Sequence, residues 1–160
     1  MMIEYVRLRP DVRPPERANP SDAGLDVYWC PSDAATIAKV VRAGGSVLLE
    51  TGLKFGVPHG YMLEVKNRSS VAAKRHLLVG ACVVDSGYDG EVFVNLHNVG
   101  IETEHVEPYE KIAQLVMTPV VHFRAVETRQ DNLYDWYPIT MSDRGDGALG
   151  STNQNPLVED

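Results

Sequence analysis

Arg68-Ser69-Ser70 combines a planar cation with two hydroxyls immediately ahead of the apolar run Val71-Ala72-Ala73. The first amides of a helix lack intrahelical acceptors, so hydroxyls and N–H groups at such a point bind an anion, and a guanidinium adds a bidentate fork. A second phosphate-like chemistry lies near the C-terminus, where Arg144 precedes a glycine-rich run ending in Gly150-Ser151-Thr152. Between the two, Asp85 and Tyr88 flank the turn signal Ser86-Gly87, with Asp89-Gly90 following and Val83-Val84 and Val92-Phe93-Val94 on either side. That pattern predicts a hairpin with one carboxylate and one aromatic at its tip. A lone carboxylate there is compatible with a solvated turn-former or with a catalytic group. Gly24-Leu25-Asp26 and the strand-like Lys111-Ile112-Ala113-Gln114-Leu115 each add a polar side chain to an apolar frame.

The elements holding these groups read as strands. Short apolar segments recur at 3–8, 25–29, 35–41, 46–50, 53–57, 61–65, 77–84, 91–97, 112–118 and 120–126. Turn signals separate them, notably Gly44-Gly45 and Pro58-His59-Gly60. This spacing predicts an all-β sandwich or barrel. Residues 71–76 alone look helical, with Ser69 or Ser70 available as N-cap. The 160 residues suffice for one domain with a sizeable core. We expect a barrel over 1–143 and a glycine-rich tail over 144–160 that either stays disordered or orders over a ligand. The aromatic-rich stretch 130–142, with Tyr134, Trp136 and Tyr137, is a packing plug or a contact surface.

A formal net charge of −7 argues against a broad nucleic-acid surface, although a few arginines in a cleft suffice for a single nucleotide. Cys30 and Cys82 are far apart and are expected as reduced thiols. No apolar run has membrane-spanning length and the first residues lack a signal-peptide core, so a cytoplasmic protein is expected. His59, His76, His97, His105 and His122 are scattered, without the spacing of a metal site.

Taken together, these segments resemble the five motifs of trimeric deoxyuridine triphosphatases (dUTPases), in the family's order and over roughly residues 3–153. The resemblance implies a jelly-roll-like β-barrel with one short helix, assembled as a homotrimer that shares each site between subunits. It implies hydrolysis of dUTP to dUMP and pyrophosphate, with Asp85 activating water for attack on the α-phosphate and Mg²⁺ held mainly by the phosphates. Arg68, Ser69, Ser70 and Gln114 would bind phosphate, with Asp26 and Lys111 in support. Tyr88 would pack under the deoxyribose and exclude a ribose 2′-OH. Main-chain groups at Val79, Cys82, Val83, Val84 and Phe93 would read uracil. Arg144, Leu149, Gly150, Ser151 and Thr152 would close the tail over the nucleotide.

Four departures from the family pattern stand out. Cys82 occupies a position that is often glycine, Lys111 replaces arginine, Ala148 replaces glycine and Leu149 replaces the phenylalanine that stacks on uracil. A weaker lid and a slower or less base-selective enzyme are expected from the last two. A fold-related dCTP deaminase would need a glutamate near Asn95, which asparagine cannot replace as a proton shuttle. A diphosphatase accepting both dUTP and dCTP, and a nucleotide-gated regulator with a protein partner, are the remaining alternatives.

Overall fold

The computed structural model describes residues 2–133 and 135. They fall in two compact units, Met1–His122 and Phe123–Asp160. The first unit is built from antiparallel strands and one short α-helix: β1 (Glu4–Arg7), β2 (Leu25–Tyr28), β3 (Lys39–Val41), β4 (Ser46–Glu50), β5 (Leu53–Gly56), β6 (Tyr61–Lys66), α1 (Ser69–Arg75), β7 (Leu77–Val79), β8 (Val83–Val84), β9 (Phe93–Asn98), β10 (Glu104–Val106) and β11 (Lys111–Pro119). The second unit contributes, among the described residues, a 3₁₀ turn at Gln130–Asn132. The all-β architecture expected from the sequence holds.

Period-two patterning explains the core. In β9 the side chains of Val94, Leu96 and Asn98 are buried, whereas Phe93 and His97 are exposed. Trp29, Leu49, Leu53, Leu77, Leu96, Ile112 and Leu115 fill the interior with almost no exposure. Asn98 is admitted there because its amide is satisfied. It donates to the carbonyls of Val41 (2.8 Å) and Glu102 (2.7 Å) and accepts from Gly100 N–H (2.9 Å).

A four-stranded sheet runs in the order β2-β11-β6-β8 and a three-stranded sheet in the order β4-β9-β7, with smaller pairs β1-β5 and β10-β3. This topology corrects the hairpin expected around Asp85. Its two apolar arms do not pair with each other. β8 joins β6, with Val84 opposite Leu63, while β9 pairs with β7, with Val79 opposite Leu96. The physical hairpin is therefore 77–80 against 95–98, and the segment between them crosses from one sheet to the other.

Two further expectations shift. The helix begins at Ser69, and neither Ser69 nor Ser70 is its N-cap. Arg68 holds that position in extended conformation with no side-chain cap. The helix ends at His76, whose φ of 54° is left-handed. The segment 120–126 forms no strand, and 35–41 is extended only over Lys39–Val41.

Candidate active site

Asp26 is the centre of the polar cluster. It lies on β2 opposite Gln114 of β11, and the same ladder sets Gln114 against Lys66 of β6. This register brings three sequence-distant segments to one end of the sheet. Arg68 Nε bonds Asp26 Oδ1 at 2.9 Å, and Lys111 Nζ lies 3.2 Å from Asp26 Oδ2. Lys111 also pairs with Glu16 and lies 5.6 Å from the ring centre of Tyr28. Both carboxylate oxygens of Asp26 thus face cations. The bond between Lys111 and Glu16 holds the Lys111 ammonium well above the ordinary lysine range against the opposing effect of partial burial, and Asp26 adds to the rise. The same Lys111 bond, helped by Tyr28, holds the Glu16 carboxyl below its ordinary value.

Gln114 is set by an absence. A Cβ at Gly24 would meet Gln114 Oε1 at 2.3 Å and Gln114 Cβ at 3.0 Å, so the side chain lies where only glycine leaves room. Its Nε2 donates to the carbonyl of Asn67 at 2.8 Å. Ser69 and Ser70 follow Arg68 as the first residues of α1, and both are exposed. At the other end of the helix, Arg75 fixes α1. It bonds Glu104 at 2.8 Å and the His105 carbonyl at 2.6 Å, and it pairs with Glu110.

Asp85 opens a turn in which Tyr88 N–H donates to the Asp85 carbonyl at 3.2 Å. Gly87, with φ 86°, takes the third position, which fits a type II turn. The Asp85 carboxylate is exposed. Tyr88 folds over Gly90, donating from its hydroxyl to the Glu91 carbonyl at 2.9 Å, and its ring remains half-exposed. Glu91 accepts from Gly52 N–H at 2.6 Å, and Lys54 pairs with Asp89, so the chain after the turn is pinned to the β5 region, while Val84 before it pairs with β6. Beside it lies an open cleft of about 290 Å³ lined in part by Tyr5, Phe55, Gly87 and Tyr88.

The main-chain positions expected to read a base differ in availability. Val65 N–H donates to the Cys82 carbonyl at 2.8 Å, and Val79 N–H donates to Asn67 Oδ1 at 2.7 Å. Those two groups are occupied. Val83 lies opposite Glu64 between two hydrogen-bonded pairs, so its N–H and C=O point away from β6. The side chains of Cys82, Val83 and Phe93 are exposed, and that of Val84 is buried.

The cluster at Arg68 and the turn at Asp85 are not brought together within the chain. Val84 pairs with Leu63 near the start of β6, whereas Arg68 follows its far end. Roughly 17 Å of strand lies between them. Gly24 and Asn67, which hold Gln114, lie within segments that the sequence singles out, but nothing in the sequence indicates their contact with Gln114. Arg144, Leu149, Gly150, Ser151 and Thr152, and the aromatic residues Tyr134, Trp136 and Tyr137, lie outside the described residues.

Among the described residues no three His, Cys, Asp or Glu side chains converge to hold a metal ion. Asp26, the buried-edge carboxylate of the cluster, is already engaged by two cations. This donor set does not fit a metal held by protein ligands alone. A metal carried in by phosphate oxygens makes no such demand.

The dUTPase family profile matches residues 11–152. The chain belongs to the dUTPase family. It is 36% identical over 140 residues to the deoxyuridine 5'-triphosphate nucleotidohydrolase of Clostridium acetobutylicum, covering 86% of this chain and 87% of that one. It is 37% identical over 145 residues to the enzyme of the same name from Anaplasma marginale, with 86% and 87% covered. Among solved structures, the dUTPase of Staphylococcus bacteriophage 80alpha with dUpNHpp superposes with a TM-score of 0.72 at 23% identity, covering 94% of this chain and 97% of that one. The dUTPase of phage phi11 of S. aureus gives 0.69 at 23% identity, with 81% and 99% covered. Both share this dUTPase fold.

Proposed function

We propose that this chain hydrolyses dUTP to dUMP and pyrophosphate. The observation that carries the reading is the cluster in which Arg68, Asp26, Lys111 and Gln114 meet at one end of the β2-β11-β6 sheet, in a chain that belongs to the dUTPase family. Phosphate oxygens are the ligands such a cluster suits, with Ser69 and Ser70 beside it.

Asp85 is the general base in this reading. Exposed on a turn fixed from both flanks, it orients a water and takes its proton as the oxygen attacks the α-phosphate. Tyr88 packs against the deoxyribose, and the free edge of Val83 supplies a donor and an acceptor for the base, with Phe93 and the rest of the 79–84 edge close by. Cytosine would put an amino donor where uracil offers an acceptor. Mg²⁺ bound by the triphosphate neutralises charge there. Arg144 and Leu149-Gly150-Ser151-Thr152 enclose the nucleotide.

A homotrimer, implied by the family resemblance, is part of this reading. Arg68 and Asp85 of one chain are separated by the length of β6, too far for both to reach one phosphate group. A site shared between copies of the chain resolves this, with the turn from one and the Arg68 cluster from another. No helix among the described residues is long and apolar enough to cross a membrane, and the cytoplasm, where nucleotides are made, is the compartment we propose.

The test is pyrophosphate release from dUTP, dCTP, dTTP and UTP with Mg²⁺, with the product base identified. Strong preference for dUTP is expected, and Asp85→Asn is expected to lower kcat by roughly 10²–10⁴-fold, the range general-base catalysis supplies. An Asp85→Asn protein with parental turnover would remove Asp85 from the chemistry. Comparable turnover of dCTP would point to a broader diphosphatase, and absence of turnover to a nucleotide-gated regulator.

A further inference from the structure

Tyr88 carries a hydroxyl that the proposed function does not use. Tyrosine and phenylalanine offer a sugar the same ring face, and only the hydroxyl can be held by a hydrogen bond. The Tyr88 hydroxyl donates to the Glu91 carbonyl at 2.9 Å and lays the ring over Gly90, where a Cβ would meet Tyr88 Cζ at 2.5 Å. The accepting carbonyl is aimed from the opposite side. Val92 N–H, in the same peptide unit, donates to the Leu53 carbonyl at 2.8 Å. The N–H and C=O of one trans peptide point in opposite directions, so that bond turns the Glu91 carbonyl away from β5 and toward Tyr88.

Two side chains hold this peptide in place. Glu91 Oε1 accepts from Gly52 N–H at 2.6 Å. The buried Thr51 hydroxyl donates to the Val92 carbonyl at 2.6 Å and accepts from Leu53 N–H at 3.2 Å. The corner between β4 and β5 thus grips residues 91 and 92 and, through one carbonyl, the Tyr88 ring.

Resting on the reading of this turn as part of a dUTP site, we infer that Glu91 is a positioning residue that sets sugar selectivity through the Tyr88 hydroxyl. The ring excludes a 2′-hydroxyl only while it stays close to the sugar, and a ring tethered by its hydroxyl cannot rock aside to admit the extra oxygen. Every bond of the tether lies within one chain, in the half of the site that carries Asp85. It therefore acts on the same nucleotide whose attacking water Asp85 activates. Glu91 needs only an acceptor oxygen for its bond to Gly52, which glutamine retains and alanine lacks.

The test reads the ratio of kcat/KM for dUTP to that for UTP, which cancels any uniform change in phosphate affinity. Tyr88→Phe keeps the ring and loses the tether, and it is expected to lower the ratio by about tenfold, the upper worth of one hydrogen bond. Glu91→Ala is expected to lower it roughly threefold, the lower end of the same range. Glu91→Gln is expected to keep it near the parent's. The double variant Tyr88→Phe/Glu91→Ala should fall no further than Tyr88→Phe alone, because Glu91 acts only through the hydroxyl. Tyr88 sits on an exposed turn, so Tyr88→Phe decides the matter even where Glu91→Ala does not fold.

An unchanged ratio in Tyr88→Phe overturns the tether, as does an equal fall in Glu91→Gln and Glu91→Ala. So does a double variant whose fall is the product of the two single falls, and so does a Glu91→Ala protein that melts lower with the parental ratio. Each of these leaves parental dUTP turnover intact. A parent that turns over dUTP and UTP alike, or neither, overturns the underlying reading as well.

Discussion

Gly24 shows how closely a single side chain is set in this site. The Gln114 amide fills the space where a Cβ would stand, so the glycine two residues before Asp26 determines where the amide of the facing strand can sit. Gly24→Ala is expected to displace Gln114, break its bond to the Asn67 carbonyl and lower kcat/KM for dUTP by roughly tenfold or more. A crystal structure of the variant with Gln114 unmoved, or unchanged kinetics, would contradict this. Lys111 is a second case. A point charge replaces the planar fork expected at this position, yet its ammonium bridges Glu16 and Asp26 and lies beside Tyr28. Its role is to hold Asp26 in place while Arg68 holds it from the other side.

At the scale of elements, β4 ends in a carboxylate that ties two loops together. Glu50 accepts from Trp29 Nε1 at 3.2 Å and from the Ser32 amide and hydroxyl, each at 3.3 Å. Partial burial pushes this carboxyl up, but these hydrogen bonds and one from its own backbone outweigh that and leave it below its ordinary value. A carboxyl depressed in the folded state stabilises the fold above its unfolded value of about 4.3, and the contribution disappears as pH falls through the lower folded value. The stability gap between parent and Glu50→Gln, from urea midpoints, is therefore expected to be widest near neutrality and to close below about pH 4. A gap that persists into acid would assign the effect to packing.

The elements also show what the sequence made legible. Segments bounded by turn residues, such as 46–50 and 53–57, emerge as β4 and β5 because period-two patterning and glycine punctuation act locally. The hairpin around Asp85 did not survive, because pairing partners are chosen by distant strands. Val83-Val84 reads as half of a hairpin but finds β6, and Val92-Phe93-Val94 leads into a strand held by β4 and β7. β10 was missed, since Glu104-His105-Val106 carries little apolar signal and is extended only by pairing with β3. Likewise Arg68 and Asp26 read as site residues, whereas the contacts of Asn67, at the head of the same segment as Arg68, are not legible because they are bonds to residues 12 and 47 positions away.

At the scale of the whole molecule, several large apolar side chains among the described residues are exposed. Val121 in one unit and Phe123 and Val126 in the other are each more than 70% exposed. In the proposed reading, such surface, together with the separation of the Asp85 turn from the Arg68 cluster along β6, is what assembly would complete. Light scattering on the purified protein is expected to give three times the 17.7 kDa of the chain. A monomer that turns over dUTP at full rate would contradict the shared site.

The ion cluster has one more consequence, for how the nucleotide arrives. Arg68 and Lys111 carry two positive charges, and Asp26 and Glu16 carry two negative ones, so the group is electrically neutral before any phosphate reaches it. The chain around it has a formal charge of −7. Long-range attraction therefore contributes little to the encounter, and the cluster's fork and amide act only at contact. With Mg²⁺ saturating, kcat/KM for dUTP should stay level or rise as potassium chloride is raised through the range where the Debye length shrinks from about 30 Å to 10 Å. A steep fall would mean that a positive field draws the substrate in. A level response would mark an enzyme that meets its anionic substrate by diffusion and recognises it only on touching.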